Sequence, residues 1–234
     1  MQSSTMINRT HNLDISYFNE INTPEKAYWL GFIWADGNIS KSSERSSGAN
    51  RLRLSQKWTE KQHLEKFKQA IDTDYDIKPV YHANDKTVAQ LDINCRPLCQ
   101  ALCSLGYSTK DKRTALPQMN SDLIPHFIRG YFDGDGCLSL YTQKIKKWIV
   151  NKQEFSITGN KIFIANIKKI LTDDAHVTPD VELKFYKKSP ESASVRYGKI
   201  SDIIKLHEYL YNNANIYLET KHQKFIEFLS RYAS

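Results

Sequence analysis

Apolar residues recur at helical spacing in some segments and alternate with polar residues in others, and this separates helices from strands. Helical spacing with start and stop signals predicts helices over 23–37, 59–71, 98–105, 125–136, 160–171, 201–211 and 219–232. Alternation predicts strands over 38–40, 51–55, 78–82, 88–94, 137–141, 154–158, 181–187 and 194–199. Segments 41–50 and 143–152 are predicted loops, and a turn is expected at 84–85.

The order helix, hairpin, helix, hairpin, helix occurs twice, with one more helix at the end. Four strands in each half cannot bury both sheet faces, so helices should cover one face while the other stays polar. The sequence therefore predicts an α+β fold with two pseudo-symmetric αββαββα halves, each with a curved four-stranded antiparallel sheet. The expected organisation is an arm over 1–22, a first half over 23–109, a linker over 110–120 and a second half over 121–234.

One motif is present in both halves. Trp29–Gly37 returns as Ile128–Gly136, which places Asp36 and Asp135 in register, 99 residues apart. Each acid comes just before the glycine that ends its helix. A carboxylate there faces the negative pole of the helix dipole and costs roughly 0.3–1 kcal/mol. A bound metal ion would offset that cost.

Small residues four positions apart give each motif helix a smooth face. They are Gly31 and Ala35 in the first copy, and Gly130 and Gly134 in the second. Residues at this spacing share one side of a helix, so another backbone can approach there closely. If the two helices pack on each other, the two acids meet.

The 234-residue chain carries a formal net charge of +7 and a sequence pI near 9.1. That balance suits a polyanionic partner, either a nucleic acid or an anionic membrane surface. No apolar run approaches the roughly 20 residues of a membrane span, and the polar N-terminus lacks a signal-peptide core. We therefore expect a soluble protein of the cytoplasm or an organelle.

The paired motifs resemble those of the LAGLIDADG homing endonuclease family (meganucleases), and the resemblance covers nearly the whole chain. It implies a monomeric, Mg²⁺-dependent DNA endonuclease that cuts both strands of double-stranded DNA across the minor groove. It also implies 3′ overhangs, a long and poorly symmetric target, and a part in intron homing. The implied metal site comprises Asp36 and Asp135 with the preceding Ala35 and Gly134.

Further catalytic candidates come from the same resemblance. Gln56 falls where the family often has a polar residue that holds solvent near the metal. Its counterpart is Gly159, so that role is lost in the second half or moved to Asn160. Arg96 and Lys199 are interpreted as basic residues near the scissile phosphate, where positive charge stabilises the transition state.

The first motif departs from the family at Trp34, where an acid is common and the second copy has Asp133. We expect Trp34 to pack in the core or between the halves. A calcium-binding loop beginning at Asp133 is disfavoured because Lys144 stands at its twelfth position, where a bidentate acid is required.

The polar faces of the two sheets supply the DNA-binding candidates, and together they are predicted to form a saddle. The major groove admits a two-stranded ribbon, and alternating strands offer every second side chain to base edges. The candidates are Arg51, Arg53, Ser55, Gln90, Asn94, Ser139, Tyr141, Gln143, Lys152, Lys184 and Arg196, with Lys187 and Lys188 beside them. For each residue alone, a solvated surface position is the competing interpretation.

Two other functions stay open. A non-cleaving nucleic-acid binder, such as an intron RNA maturase or a transcriptional regulator with the same fold, is the main alternative. A third and weaker interpretation is an unrelated basic scaffold, for which the aligned repeat would have to be a coincidence.

Overall fold

The computed structural model describes residues 11–40, 50–82, 86–108 and 113–232. The chain divides into two compact units. One contains the residues up to Asn19 together with Asn38–Ala101, and the other contains Glu20–Gly37 together with the chain from Leu102 onwards. The first motif helix therefore belongs to the same unit as the second. The halves proposed from the repeat, 23–109 and 121–234, remain a prediction.

The first unit contains a four-stranded antiparallel sheet in the order β1-β2-β4-β3. Its strands are β1 (Asn38–Ser40), β2 (Arg51–Lys57), β3 (Ile77–His82) and β4 (Lys86–Asn94). Helix α2 (Lys61–Ala70) follows a short 3-10 turn over Trp58–Glu60, and α3 (Arg96–Ser104) begins in this unit and ends in the second.

The second unit repeats that topology, with a four-stranded sheet in the order β5-β6-β8-β7. Its strands are β5 (Gly136–Ile145), β6 (Trp148–Asn160), β7 (Lys184–Tyr186) and β8 (Ser189–Tyr197). Its helices are α1 (Pro24–Asp36), α4 (Ile124–Asp135), α5 (Lys161–Asp173), α6 (Ile200–Tyr211) and α7 (Glu219–Tyr232), with a 3-10 turn over Ser121–Leu123. The predicted α+β class and the paired four-stranded antiparallel sheets are confirmed.

Helix α1 is buried on all sides, since every residue from Ala27 to Ala35 is buried. A helix that is apolar all round belongs in a core. At its start the Thr23 hydroxyl accepts a hydrogen bond from the Lys26 amide (3.3 Å) and so caps the helix, which was predicted to begin at residue 23. Gly106, just beyond α3, has a φ of +98° and ends that helix as predicted.

Two helices begin at residues other than the predicted 59 and 201. Helix α2 begins at Lys61 because Thr59 lies within the preceding 3-10 turn, and no side chain caps the helix at Glu60. Helix α6 begins at Ile200, so Ser201 lies inside it, and the side chain of Lys199 at the cap position makes no capping hydrogen bond to the helix.

The prediction of a loop over 143–152 is also wrong, because strands β5 and β6 continue through this segment. Ile145 pairs with Trp148, and the turn consists of Lys146 and Lys147 alone. Lys146 has a φ of +54°, the left-handed backbone that a two-residue hairpin turn requires. In the other hairpin, β7 is shorter than predicted, while β8 starts five residues earlier, at Ser189 rather than 194.

The last part of the predicted arm packs within the first unit. The Asp14 amide donates to the Ile71 carbonyl (2.9 Å), and Phe18 is buried near Phe67, with ring centroids 6.5 Å apart. The predicted loop over 41–49 and turn at 84–85 lie outside the described residues. Across the described ranges, no helix combines the length and apolarity needed to cross a bilayer.

Candidate active site

Helices α1 and α4 pack in direct backbone contact through the small residues that the sequence singled out. A Cβ on Gly31 would lie 1.9 Å from the Phe127 carbonyl oxygen, and one on Gly130 would lie 1.9 Å from the Tyr28 carbonyl oxygen. No side chain fits in either gap. The predicted close packing of the two motif helices is therefore present.

The acidic ends of these helices come together. A Cβ on Gly134 would lie 2.4 Å from the Ala35 Cβ and 3.3 Å from the Asp36 Oδ2. The Asp36 carboxylate thus lies beside the last turn of α4, which ends at Asp135. Burial is the largest cause of a raised pKa at the Tyr131 hydroxyl, and the negative charges of Asp135 and Asp36 raise this pKa further.

Two cations from outside the repeated motif satisfy carbonyls at the ends of these helices. The Arg113 Nη1 donates to the Trp34 carbonyl, and the Lys221 Nζ donates to the Gly136 carbonyl. A cation at a helix C-terminus interacts favourably with the dipole, so each offsets part of the cost that the terminal acid imposes. Tyr107 adds a hydrogen bond to the Gly37 carbonyl, and its ring lies 4.7 Å from the Arg113 guanidinium.

A cavity of about 200 Å³ opens next to Asp135. Tyr131, Arg113, Thr158 and Gly159 are among the residues that line it. Arg113 is only 5% exposed, and its Nε has no hydrogen-bond partner within the described part of the chain. The lining of the cavity is part polar and part apolar, since Trp34 also borders it, and its volume has room for several water molecules.

The solvent-holding candidate Gln56 lies in β2 of the first unit, where it pairs with Ala89. Its counterpart Gly159 pairs with Ala193 in the second unit. Asn160, considered as a replacement, caps α5, since its Oδ1 accepts hydrogen bonds from the Ile162 and Phe163 amides (2.9 and 3.4 Å). Its side-chain oxygen is therefore already engaged.

The two basic candidates do not occupy equivalent positions. Ala89 and Ala193 mark equivalent positions, because they pair with Gln56 and with its counterpart Gly159. Arg96 begins α3 seven residues after Ala89, whereas the residue seven positions after Ala193 is Ile200. Lys199 stands one residue earlier, and its Nζ donates to the Thr178 Oγ1 (3.1 Å). Counted from the paired strands, Lys199 therefore lies one residue before the position that corresponds to Arg96.

Trp34 packs in the core as expected, against Phe127 and Tyr107, with ring centroids 5.9 and 5.6 Å away. Its counterpart Asp133 is buried and accepts hydrogen bonds from the Tyr28 hydroxyl (2.7 Å), the Tyr211 hydroxyl (2.8 Å) and the Leu218 amide (2.7 Å). Burial raises the pKa of Asp133 to about 6. This acid ties helices together and is distinct from the pair at the helix ends.

The polar face predicted for the first sheet is present. Arg51 pairs with Asn94 across the strands, Arg53 with Asp92, and Ser55 with Gln90, so all share one face. Arg53 forms a bidentate ion pair with Asp92, with Nε–Oδ1 and Nη2–Oδ2 distances of 2.6 and 3.0 Å. The sequence interpretation missed this pairing, which depends on strand register.

The second sheet has a corresponding face. Ser139 pairs with Glu154, Tyr141 with Lys152, and Gln143 with Val150, while Arg196 and Lys184 extend the same face on β8 and β7. The Arg196 Nη1 contacts the Glu154 Oε1 at 3.0 Å. Each sheet therefore presents an arginine that is already held by an acid.

No protein-family model matches this sequence, and no curated protein sequence matches it either. Several solved structures do match over most of their length. The LAGLIDADG homing endonuclease I-LtrWI, bound to target DNA, has a TM-score of 0.61 and 13% identity, covering 94% of this chain and 92% of its own.

I-GzeII, in complex with its DNA target, has a TM-score of 0.60 and 13% identity, covering 90% of this chain and 89% of its own. I-AabMI, bound to uncleaved DNA, has a TM-score of 0.62 and 14% identity, covering 91% of both chains. Both are described as LAGLIDADG enzymes. Two four-stranded sheets and a pair of helices in backbone contact thus give this chain the fold of the LAGLIDADG homing endonucleases.

Proposed function

We propose that this protein is a site-specific DNA endonuclease that makes a double-strand break. One observation carries the proposal, namely that Asp36 and Asp135 end two helices whose backbones touch and that the Asp36 carboxylate lies against the last turn before Asp135. Two acids from equivalent positions suit two equivalent reactions, one on each DNA strand. The similar structures bound to DNA support this choice of substrate.

The two acids fit a divalent cation. Mg²⁺ is usually held by one or two carboxylates, with substrate phosphates and water completing its octahedron. Gly134 keeps the space beside the Asp36 carboxylate clear, because a side chain there would meet it.

We propose Mg²⁺ as the cofactor, held by the carboxylates of Asp36 and Asp135 and by the backbone at Ala35 and Gly134. A bound Mg²⁺ supplies Lewis acidity and lowers the pKa of a coordinated water. Gln56 is proposed to orient solvent, and Arg96 and Lys199 to stabilise phosphate charge. One structure with the same fold, I-SmaMI on uncleaved DNA, was solved in the presence of calcium ions, which supports a divalent metal.

The polar sheet faces are proposed to read the DNA. Their arginines and amides suit base edges, and the net charge of +7 suits the phosphates. The two faces carry different residues, so the target should be poorly symmetric, and the resemblance to the homing endonucleases implies that it is long. The proposal includes 3′ overhangs, a role in intron homing, and action as a monomer in the cytoplasm or an organelle.

The test is cleavage of a randomised duplex library with Mg²⁺, with sequencing of the cut ends. Asp36→Asn and Asp135→Asn should each abolish cutting or reduce it to nicking. Asp180→Asn, which changes an exposed acid, is the matched control and should cut like the wild type. Salt-sensitive binding with no cutting would instead support a maturase or a regulator. The absence of both binding and cutting would overturn the proposal.

A further inference from the structure

The two halves differ at the position of Gln56. Asn38 and Cys137 each follow the aligned acids by two residues, and they pair with Arg53 and Ser156 respectively. Three residues further along β2 and β6, Gln56 therefore corresponds to Gly159. Strand pairing thus supports the alignment independently of the sequence, and the second half lacks a side chain at this position.

A hydroxyl group from the motif helix fills the place of the missing side chain. A Cβ on Gly159 would lie 2.2 Å from the Tyr131 hydroxyl oxygen, so the two cannot coexist. The residue equivalent to Tyr131 in α1 is Phe32, which also stands four residues before its acid but has no hydroxyl. The second half has therefore lost a polar side chain on the strand and gained one on the helix.

This hydroxyl lines the same cavity as Asp135. It donates a hydrogen bond to the Thr158 carbonyl (3.0 Å), which leaves its oxygen lone pairs free to accept from water. A tyrosine hydroxyl is protonated at neutral pH, and burial with the nearby acids raises the pKa of this one further. The cavity of about 200 Å³ has space for the water that it would hold.

We propose that Tyr131 is a positioning residue, whose hydroxyl holds solvent beside Asp135 and replaces in the second half the polar side chain that Gln56 supplies in the first. The inference rests on the proposed endonuclease function. It predicts that the two strand cuts depend on different residues, one on Gln56 and the other on Tyr131.

The test uses a duplex recovered from the cleavage library, with a different label on each strand. Tyr131→Phe should slow the cutting of one strand about tenfold, the equivalent of one lost hydrogen bond, and leave the other strand unchanged. Nicked duplex should accumulate. Tyr211→Phe is the control, because it also removes a buried hydroxyl but contacts Asp133 away from the cavity.

Rescue separates this role from simple packing. Gly159→Gln alone places its Cβ on the Tyr131 hydroxyl and should lower the melting temperature of the metal-free protein. Combined with Tyr131→Phe, the nearest atoms become Ile164 Cδ1 at 3.3 Å and the ring carbon Cζ at 3.4 Å, so the double variant should recover stability. It should also recover cutting of the affected strand, because it rebuilds the arrangement of Phe32 and Gln56.

Each outcome decides between the two proposals. If the wild type cuts no duplex, the endonuclease proposal fails and the role of Tyr131 fails with it. If the wild type cuts and Tyr131→Phe slows neither strand, or slows both equally as a general loss of stability would, only the role of Tyr131 is overturned. A double variant that melts like the wild type but leaves one strand slow would also overturn it.

Discussion

Asp133 has a buried carboxylate whose charge affects stability. Its pKa of about 6 in the folded protein lies above the ordinary value of 3.8, and burial is the largest cause. Between those values the folded state binds more protons than the unfolded state. The contribution of Asp133 to the free energy of unfolding should therefore fall as pH rises from about 4 to about 6, and then level off.

We predict that this fall amounts to on the order of 2–3 kcal/mol, since one pKa unit corresponds to 1.36 kcal/mol. Denaturant unfolding of the wild type and of Asp133→Asn, at four values between pH 4 and pH 7, measures it. The variant cannot titrate at this position, so the difference between the two curves isolates Asp133. Parallel curves would show that the carboxylate keeps its ordinary pKa.

Arg113 is a buried cation at the end of α1. We predict that Arg113→Met lowers the free energy of unfolding by about 2 kcal/mol, because a charged hydrogen bond to the Trp34 carbonyl is lost. Thermal or denaturant unfolding measures the change. Lys187→Met, which alters an exposed lysine in the same unit, should change it by less than about 0.5 kcal/mol. Equal effects of the two variants would argue against a capping role.

Single residues were predictable from the sequence where a repeat or a period marked them. Asp36 and Asp135 stand in aligned motifs, and alternation assigned Arg53 and Arg196 to polar faces. Arg113 has no such signal, because it lies in a charged stretch without periodicity and its burial depends on the fold. The Tyr131 hydroxyl packs over Gly159, and this contact between a helix and a strand can be recognised only in the folded structure.

At the scale of elements, the contact between α1 and α4 depends on glycine. We predict that Gly130→Ala destabilises the protein by about 3 kcal/mol or more, because its Cβ would overlap the Tyr28 carbonyl and the backbones would have to separate. Gly198→Ala is the control, since its nearest neighbour would be the Gln153 carbonyl oxygen at 3.6 Å, an ordinary contact.

Unfolding in denaturant compares the two alanine variants. The Gly198 variant should stay within about 1 kcal/mol of the wild type, in the range usual for a tolerated glycine replacement. If Gly130→Ala were equally mild, the helices would not be in backbone contact. The same variant should also impair cutting of both strands, because both acids are positioned by this contact.

Most elements followed from the spacing of apolar residues, since burial of one face imposes that spacing. The β5–β6 hairpin did not, because the apolar residues of its outer part, Ile145, Trp148 and Ile149, are exposed and do not alternate regularly with polar residues around the pair of lysines at the turn. Its pairing extends beyond the buried stretch, from Leu138 opposite Phe155 to Ile145 opposite Trp148. Register and backbone hydrogen bonds continue these strands where hydrophobic pattern gives no signal.

At the scale of the whole molecule, charge rather than any single contact should govern DNA binding. Duplex DNA releases condensed counterions when cationic side chains neutralise its phosphates. The net charge of +7 therefore predicts that the logarithm of the DNA-binding constant falls linearly with the logarithm of salt concentration, by about 0.9 for each phosphate contacted. A titration of the target duplex at several salt concentrations gives the slope.

Two substitutions separate phosphate contacts from ion pairs within the protein. Lys184→Gln removes an exposed lysine of the second sheet face and should reduce the slope by about one if that lysine contacts a phosphate. Arg53 is already held by Asp92, so Asp92→Asn should release its charge and tighten binding at low salt. A slope that is flat in the wild type would contradict DNA binding through these faces, whereas an unchanged slope in Lys184→Gln alone would remove only that residue from the contact surface.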